Sequence, residues 1–362
     1  MDKRHSWPLV FIIAVVASLV VGCSGGTDSP TPDDTSYTTY LYMTDTYSGK
    51  VYTYDPATHL SPTTSIAATG QNATGEIAFY EGIGYACVGS GTNEGVYRFD
   101  PSDTNPSFSK IGDAIAAQYI SFPSSSKGYV STYGGGLYSF APSSSSPSYS
   151  SISGTSGMTL QEVIVGSDGM VYIADNGNGA VLRIDPSDDS VEAISTSAGG
   201  TTGLVAGTFN GSSGVFVANT GGYDPDTWAA LPGSIDFIPS GSTSATTVAS
   251  ALSGGGSIYP ARLVQLSDGS LIATGYSHTY RVALSGATAT VSELTASGAS
   301  FGSMDIALKD GLVYVPVSVT SDYISYSNYL YVLGEDGDQE SYSPVSVMGS
   351  SESISNIAFY EG

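Results

Sequence analysis

The chain is short of cysteine, of basic residues and of histidine, and each shortage removes a class of chemistry. Cys23 and Cys87 are its two cysteines in 362 residues. With Cys23 engaged at the N-terminus, as argued below, no intrachain disulfide can frame the fold. Cys87 lies inside the apolar segment GYACVGS, where a small buried hydrophobe is expected. Ten Lys and Arg stand against 33 Asp and Glu, a formal charge of −23. Such a body repels nucleic-acid phosphates and anionic headgroups, so no nucleic-acid partner is expected. Of three histidines, His5 precedes the first apolar run, while His59 and His278 lie far apart. A multi-histidine metal centre is thereby disfavoured. No GxSxG nucleophile elbow occurs among the many serines, and no catalytic residue is assigned. What the chain has instead is 45 Gly and 26 Tyr, with charged residues at 12%. That balance suits a turn-rich extracytoplasmic β-protein.

The N-terminus begins MDKRHSWP, with Lys3 and Arg4, and continues as an apolar run from Leu9 to Val21. The run suits a signal-peptide core and is short for a bilayer span. It ends Val20-Val21-Gly22-Cys23, which resembles the lipobox of bacterial lipoproteins. The resemblance implies cleavage before Cys23 and fatty acylation of its thiol, hence a membrane partner through the lipid. Ser24 in the following position goes, in that family, with outer-membrane delivery where two membranes exist. An uncleaved N-terminal anchor is the alternative. Residues 23–38 then form a small, polar, Pro-rich tether that cannot bury enough apolar surface to fold.

From 39 to 362 one pattern recurs: apolar strand, turn, apolar strand, then an alternating strand often closed by Asp-Pro. The third-strand copies are KVYTYDP (50–56), GVYRFDP (95–101), GLYSFAP (136–142), AVLRIDP (180–186), SIDFIP (234–239), TYRVAL (279–284) and YLYVLG (329–334). The column Asp55, Asp100, Ala141, Asp185, Ile238, Ala283 and Leu333 repeats at 41 to 53 residues. Periods in the forties with alternation of period two predict an all-β chain, a seven-bladed β-propeller with four-stranded blades. Asp-Pro is turn chemistry, because the carboxylate accepts nearby amides and Pro presets φ. The C-terminal IAFYEG (357–362) repeats 77–82, the innermost strand of blade two. Blade one begins at a second strand, TTYLYMTD, so the C-terminus is expected to complete it and close the ring. The phrases VYIADNGNGAVLRIDP (171–186) and VFVANTGG (215–222) resemble NHL and YVTN-type propeller repeats. Those families include binding modules, scaffolds and enzymes, so the resemblance leaves function open.

Connections between blades and second-to-third-strand loops share one face of a propeller. Two such loops are long, 219–233 and 317–328, and loops on rigid scaffolds are where binding sites gather. Tyr223, Trp228, Tyr323 and Tyr326 give them flat amphipathic rings suited to sugar or peptide contacts, or to packing on one another. On the same face, the innermost strands align as Asn356, Glu76, Tyr119, Glu162, Gly203, Leu263 and Asp305. Glu76, Glu162, Asp305 and Asn356 could gather Ca²⁺ or Mg²⁺ at the channel mouth, or form a solvated polar entrance. Asp45, Asp175 and Asn219 end second strands nearby. Distant resemblance to gluconolactonase-type propellers implies a divalent-metal lactonase, and virginiamycin-lyase-type propellers imply a histidine near a metal, for which His278 is on the right face. The expectation is a monomeric, lipid-anchored envelope module for protein or glycan partners. The alternatives are a metal-dependent lactonase or lyase and a structural spacer.

Overall fold

A computed structural model describes residues 39–59, 65–68, 74–91, 93–103, 106–224, 226–296, 298–320, 325–348 and 351–361. The signal segment, Cys23, the tether and Tyr323 lie outside the described residues. The described chain forms seven antiparallel sheets in a ring, a seven-bladed β-propeller. Six sheets have four strands, and blade six adds the two-residue segment Ala299–Ser300.

Blade four shows how the sequence makes a blade. Val171–Asp175 reads VYIAD and Ala180–Ile184 reads AVLRI, β-branched and aromatic residues that favour a pleated, buried surface. Successive side chains face opposite sides of the sheet. Tyr172 and Ala174 therefore enter the cluster shared with blade five, while Val171 and Ile173 enter the one shared with blade three. Every blade divides its strands in this way. The seven large hydrophobic clusters fill the seven seams between neighbouring blades. Cys87 is fully buried in the seam between blades two and three.

The Asp-Pro turns act as their chemistry predicts. Asp55, Asp100 and Asp185 each accept the N–H two residues on, from Ala57 at 2.8 Å, Ser102 at 2.9 Å and Ser187 at 2.8 Å. They lie on the face opposite the long loops.

The ring closes through the C-terminal strand. Ile354–Glu361 pairs antiparallel with Thr39–Asp45, in the register Tyr40↔Tyr360, Tyr42↔Ala358 and Thr44↔Asn356. Ile357 and Phe359 fill the seam with blade seven, while Ala358 and Tyr360 fill the seam with blade two. Polar bonds fasten the same junction. Asp45 Oδ1 accepts Ser353 N–H at 2.7 Å, and Lys50 Nζ stands 2.8 Å from Glu352 Oε1.

One long loop differs from its sequence reading. The stretch 317–328 extends a hairpin, because Leu312–Thr320 and Tyr326–Gly334 stay paired from Val317↔Tyr329 to Thr320↔Tyr326. The alternating Val317, Val319 and Tyr329 explain it, since such residues prolong a strand.

Candidate functional site on the loop face

Exposure of large apolar side chains singles out one face. Among the described residues those that stand exposed are Tyr47, Tyr133, Tyr223, Trp228, Leu231, Tyr276 and Val319. All seven lie in second-to-third-strand loops or at the strand ends that feed them. The opposite face, built of the Asp-Pro turns and the tight first hairpins, carries none of them. Soluble surfaces scatter single hydrophobes, and here those of the described residues fall on one side.

The 219–233 loop is folded. Tyr223 and Ala230 form an antiparallel bridge, and Asp224 Oδ1 accepts the N–H groups of Asp226 at 3.0 Å and Thr227 at 2.8 Å. Trp228 donates its N–H to Asp224 O at 2.9 Å and sits in the left-handed region, φ 56°. The turn holds the indole outward, 77% exposed. Tyr326 lies elsewhere, its hydroxyl 2.9 Å from that of Tyr47 across the seam between blades seven and one. Of the ring residues expected to bind ligand, Tyr223, Trp228 and Tyr326 thus share a face without meeting in one patch.

At the channel, Glu76, Glu162, Asp305 and Asn356 are all buried, as the aligned strands require. Each carboxylate reaches sideways to the next blade. Glu76 Oε2 accepts Ile120 N–H at 2.8 Å, Glu162 Oε2 accepts Leu204 N–H at 2.8 Å, and Asp305 Oδ2 accepts Ile357 N–H at 2.7 Å. In every case the donor is the residue just after the aligned position of the receiving strand. The three acids are therefore inter-blade clamps.

The cation among them belongs to the chain itself. Arg262, 2% exposed, opens the innermost strand of blade six. Its Nη1 donates to the carbonyls of Thr202 and Ala261, both at 2.9 Å, and its Nη2 donates to Tyr119 Oη at 2.7 Å. Its Nε stands 3.7 Å from Glu162 Oε2. Gly203 makes room for this strand, since a methyl there would fall 2.3 Å from Ala261 O and 3.0 Å from Arg262 Cα. Burial works against the guanidinium, but Tyr119, Glu162, Asp305 and Glu76 outweigh it and hold its pKa above the usual arginine value. Burial pushes the Glu162 carboxyl up, while Arg262 and the Leu204 amide pull it back.

This arrangement bears on the Ca²⁺ or Mg²⁺ site. Among the described residues no group of three or more His, Cys, Asp or Glu side chains is placed to hold a metal ion. Each of the three acids spends one oxygen on a backbone amide of the next blade, and Glu162 also stands beside the Arg262 guanidinium. Asp45, Asp175 and Asn219 are engaged as well. Asp45 takes Ser48 N–H at 2.7 Å, Asp175 takes Asn178 Nδ2 at 2.7 Å, and Asn219 bonds Thr201, Ser234 and Asp236. Beside the network, a cavity of about 390 Å³ opens at the mouth, lined by Thr46, Gly75, Gln118, Tyr119, Tyr133 and Ser355.

A second cavity, of about 220 Å³, lies between blades five and six, walled by Tyr223, Tyr259, Tyr276 and His278. Sequence reasoning reached Tyr223 and His278 but missed Tyr276, in a short second-to-third-strand turn, and Tyr259, in the connection from blade five to blade six. The one signal for Arg262 was a lone arginine in an otherwise apolar strand.

No protein-family model matches the sequence, and no curated protein is similar to it in sequence. Solved structures do resemble the fold. A protein of Lactobacillus plantarum superposes with a TM-score of 0.63 at 14% identity, covering 90% of this chain and 100% of the other. A periplasmic gluconolactonase of Pseudomonas aeruginosa superposes with 0.59 at 13%, covering 89% and 99%. An extracellular domain from Bacteroides thetaiotaomicron superposes with 0.54 at 11%, covering 86% of this chain and 46% of the other. At these identities the likeness concerns the propeller alone.

Proposed function

We propose that this chain is a lipid-anchored extracytoplasmic propeller whose loop face binds protein or glycan partners. The observation that carries the reading is the confinement to that face of the seven large apolar side chains exposed among the described residues. Supporting it are the lipobox-like segment at Cys23 and the charge of −23, which disfavours nucleic acid and bare anionic membrane. Two of the similar folds come from a periplasmic and an extracellular protein, which agrees with an envelope location. The name of one of them, gluconolactonase, speaks for a lactonase reading. That reading lacks a donor set for its metal among the described residues.

Site-specific photocrosslinking in the native host tests the proposal. A photoreactive amino acid at Trp228 or Tyr133 on the loop face should yield adducts with an envelope component. The same residue at Asn210 or Asp188, exposed on the opposite face, should yield none. Adducts confined to Asn210 and Asp188 would overturn it.

A further inference from the structure

The cleft between blades five and six is built more rigidly than a surface dimple. A methyl on Gly275 would fall 2.0 Å from Tyr259 O, and one on Gly302 would fall 2.2 Å from Gly275 O and 2.4 Å from His278 N. Three segments are thus locked backbone to backbone: the connection carrying Tyr259, the turn carrying Tyr276 and His278, and the connection behind them. The fourth wall, Tyr223, is fixed by its bridge to Ala230. The rings of Tyr223 and Tyr276, 63% and 76% exposed, stand over an open space of about 220 Å³. That volume suits one ring-sized ligand rather than a large one.

One polar group in the cleft is oriented from behind. Glu293 Oε1 lies 2.8 Å from His278 Nδ1 and also accepts the Ser300 hydroxyl. Hydrogen bonds from Ser300 and His278 hold the Glu293 carboxyl below its usual pKa, so it is an anion and Nδ1 carries the proton. Nε2 is then the ring nitrogen available to a ligand, and it can exchange a hydrogen bond with a hydroxyl. Glu293 bonds His278 and Ser300 from behind and is not among the residues that line the cleft, so it does not meet a ligand cation directly. The overall charge of −23 turns anions away. What remains is a neutral ligand with a flat C–H face for the tyrosines and hydroxyls for His278 and Ser277.

We infer that this cleft binds a single ring of a neutral saccharide, with Tyr223 and Tyr276 as stacking walls and His278 as the hydroxyl reader. The inference rests on the loop-face reading above and narrows it to one site and one ligand class.

The test uses the full chain, purified in detergent, on an array of neutral, sialylated, sulfated and amino glycans. Titration calorimetry follows with a retained neutral trisaccharide. Retention of neutral glycans, with a loss of about tenfold in affinity for Tyr276→Ala and Tyr223→Ala, is the expected result. Glu293→Gln should weaken binding several-fold while the melting temperature stays unchanged, which a merely structural glutamate would not do. Retention confined to charged glycans, or retention of none, overturns the inference. So does a neutral glycan indifferent to Tyr276→Ala. If that glycan instead yields to Tyr133→Ala, the cleft assignment fails while the loop face stands. Loss through Asp188→Lys alone would sink both.

Discussion

Arg262 is one of ten basic residues in the chain, and the fold places it where solvent does not reach. Around it gather three acids whose aligned positions were legible in the sequence, because they recur at one place in repeated strands. The arginine was not legible. It sits one position before the aligned residue, and its bond to Tyr119 joins blades 143 residues apart, a contact that exists only once the ring is closed. Removing one partner of a buried charged pair costs about 3–5 kcal/mol, because the other charge is stranded. Arg262→Met should therefore destabilise strongly in denaturant melts at neutral pH. The sign of the pH dependence follows from Glu162. Its folded pKa already lies above the unfolded value, and losing the guanidinium raises it further. Stability of the variant should be fullest below the ordinary glutamate range and fall as pH rises through the raised folded value. Adding Glu162→Gln should recover part of the loss and flatten that slope. Equal stability of Arg262→Met and wild type across pH would contradict the channel account.

At the scale of elements, the third strands and the Asp-Pro turns were readable because local chemistry fixes both. Alternation assigns side chains to two seams, and the Asp carboxylate finds its amide two residues on. Shared closure was readable for a different reason, the repetition of IAFYEG at 77–82 and 357–362. The hairpin at 317–328 was misread as a loop because a pairing partner, rather than composition, decides whether a polar β-branched stretch is a strand. Closure gives the element-scale prediction. Deleting residues 353–362 removes Ile357, Phe359, Ala358 and Tyr360 from two seams, together with the Ile357 amide that Asp305 holds. Loss of Phe359 alone should cost about 3–5 kcal/mol. The truncated chain should lose its cooperative melt and expose Thr39–Asp45 to rapid hydrogen exchange. A truncated chain that melts like the full one would show that blade one stands without its C-terminal strand.

For the whole molecule, the ring does two things at once. It buries a seam between every pair of blades, so stability is spread around the circle. It also sends the first hairpins and the Asp-Pro turns to one face and the second-to-third-strand loops to the other, where the exposed aromatics of the described residues collect. The sequence showed one second-to-third-strand loop to be long, which is why Tyr223 and Trp228 were found. The aromatics of short connections, Tyr47, Tyr133 and Tyr276, were missed because nothing local distinguishes an exposed tyrosine from the buried ones such as Tyr172. The central claim is that this face alone meets a partner, and radical footprinting tests it most directly. Oxidation of the protein in its native membrane fraction is compared, residue by residue, with that of the purified protein. Tyr133, Tyr223, Trp228 and Tyr276 should be protected in the membrane fraction, while the turns at Asp55, Asp100 and Asp185 oxidise equally in both. Protection of the Asp-Pro turns with the loop-face aromatics left unchanged would contradict the account.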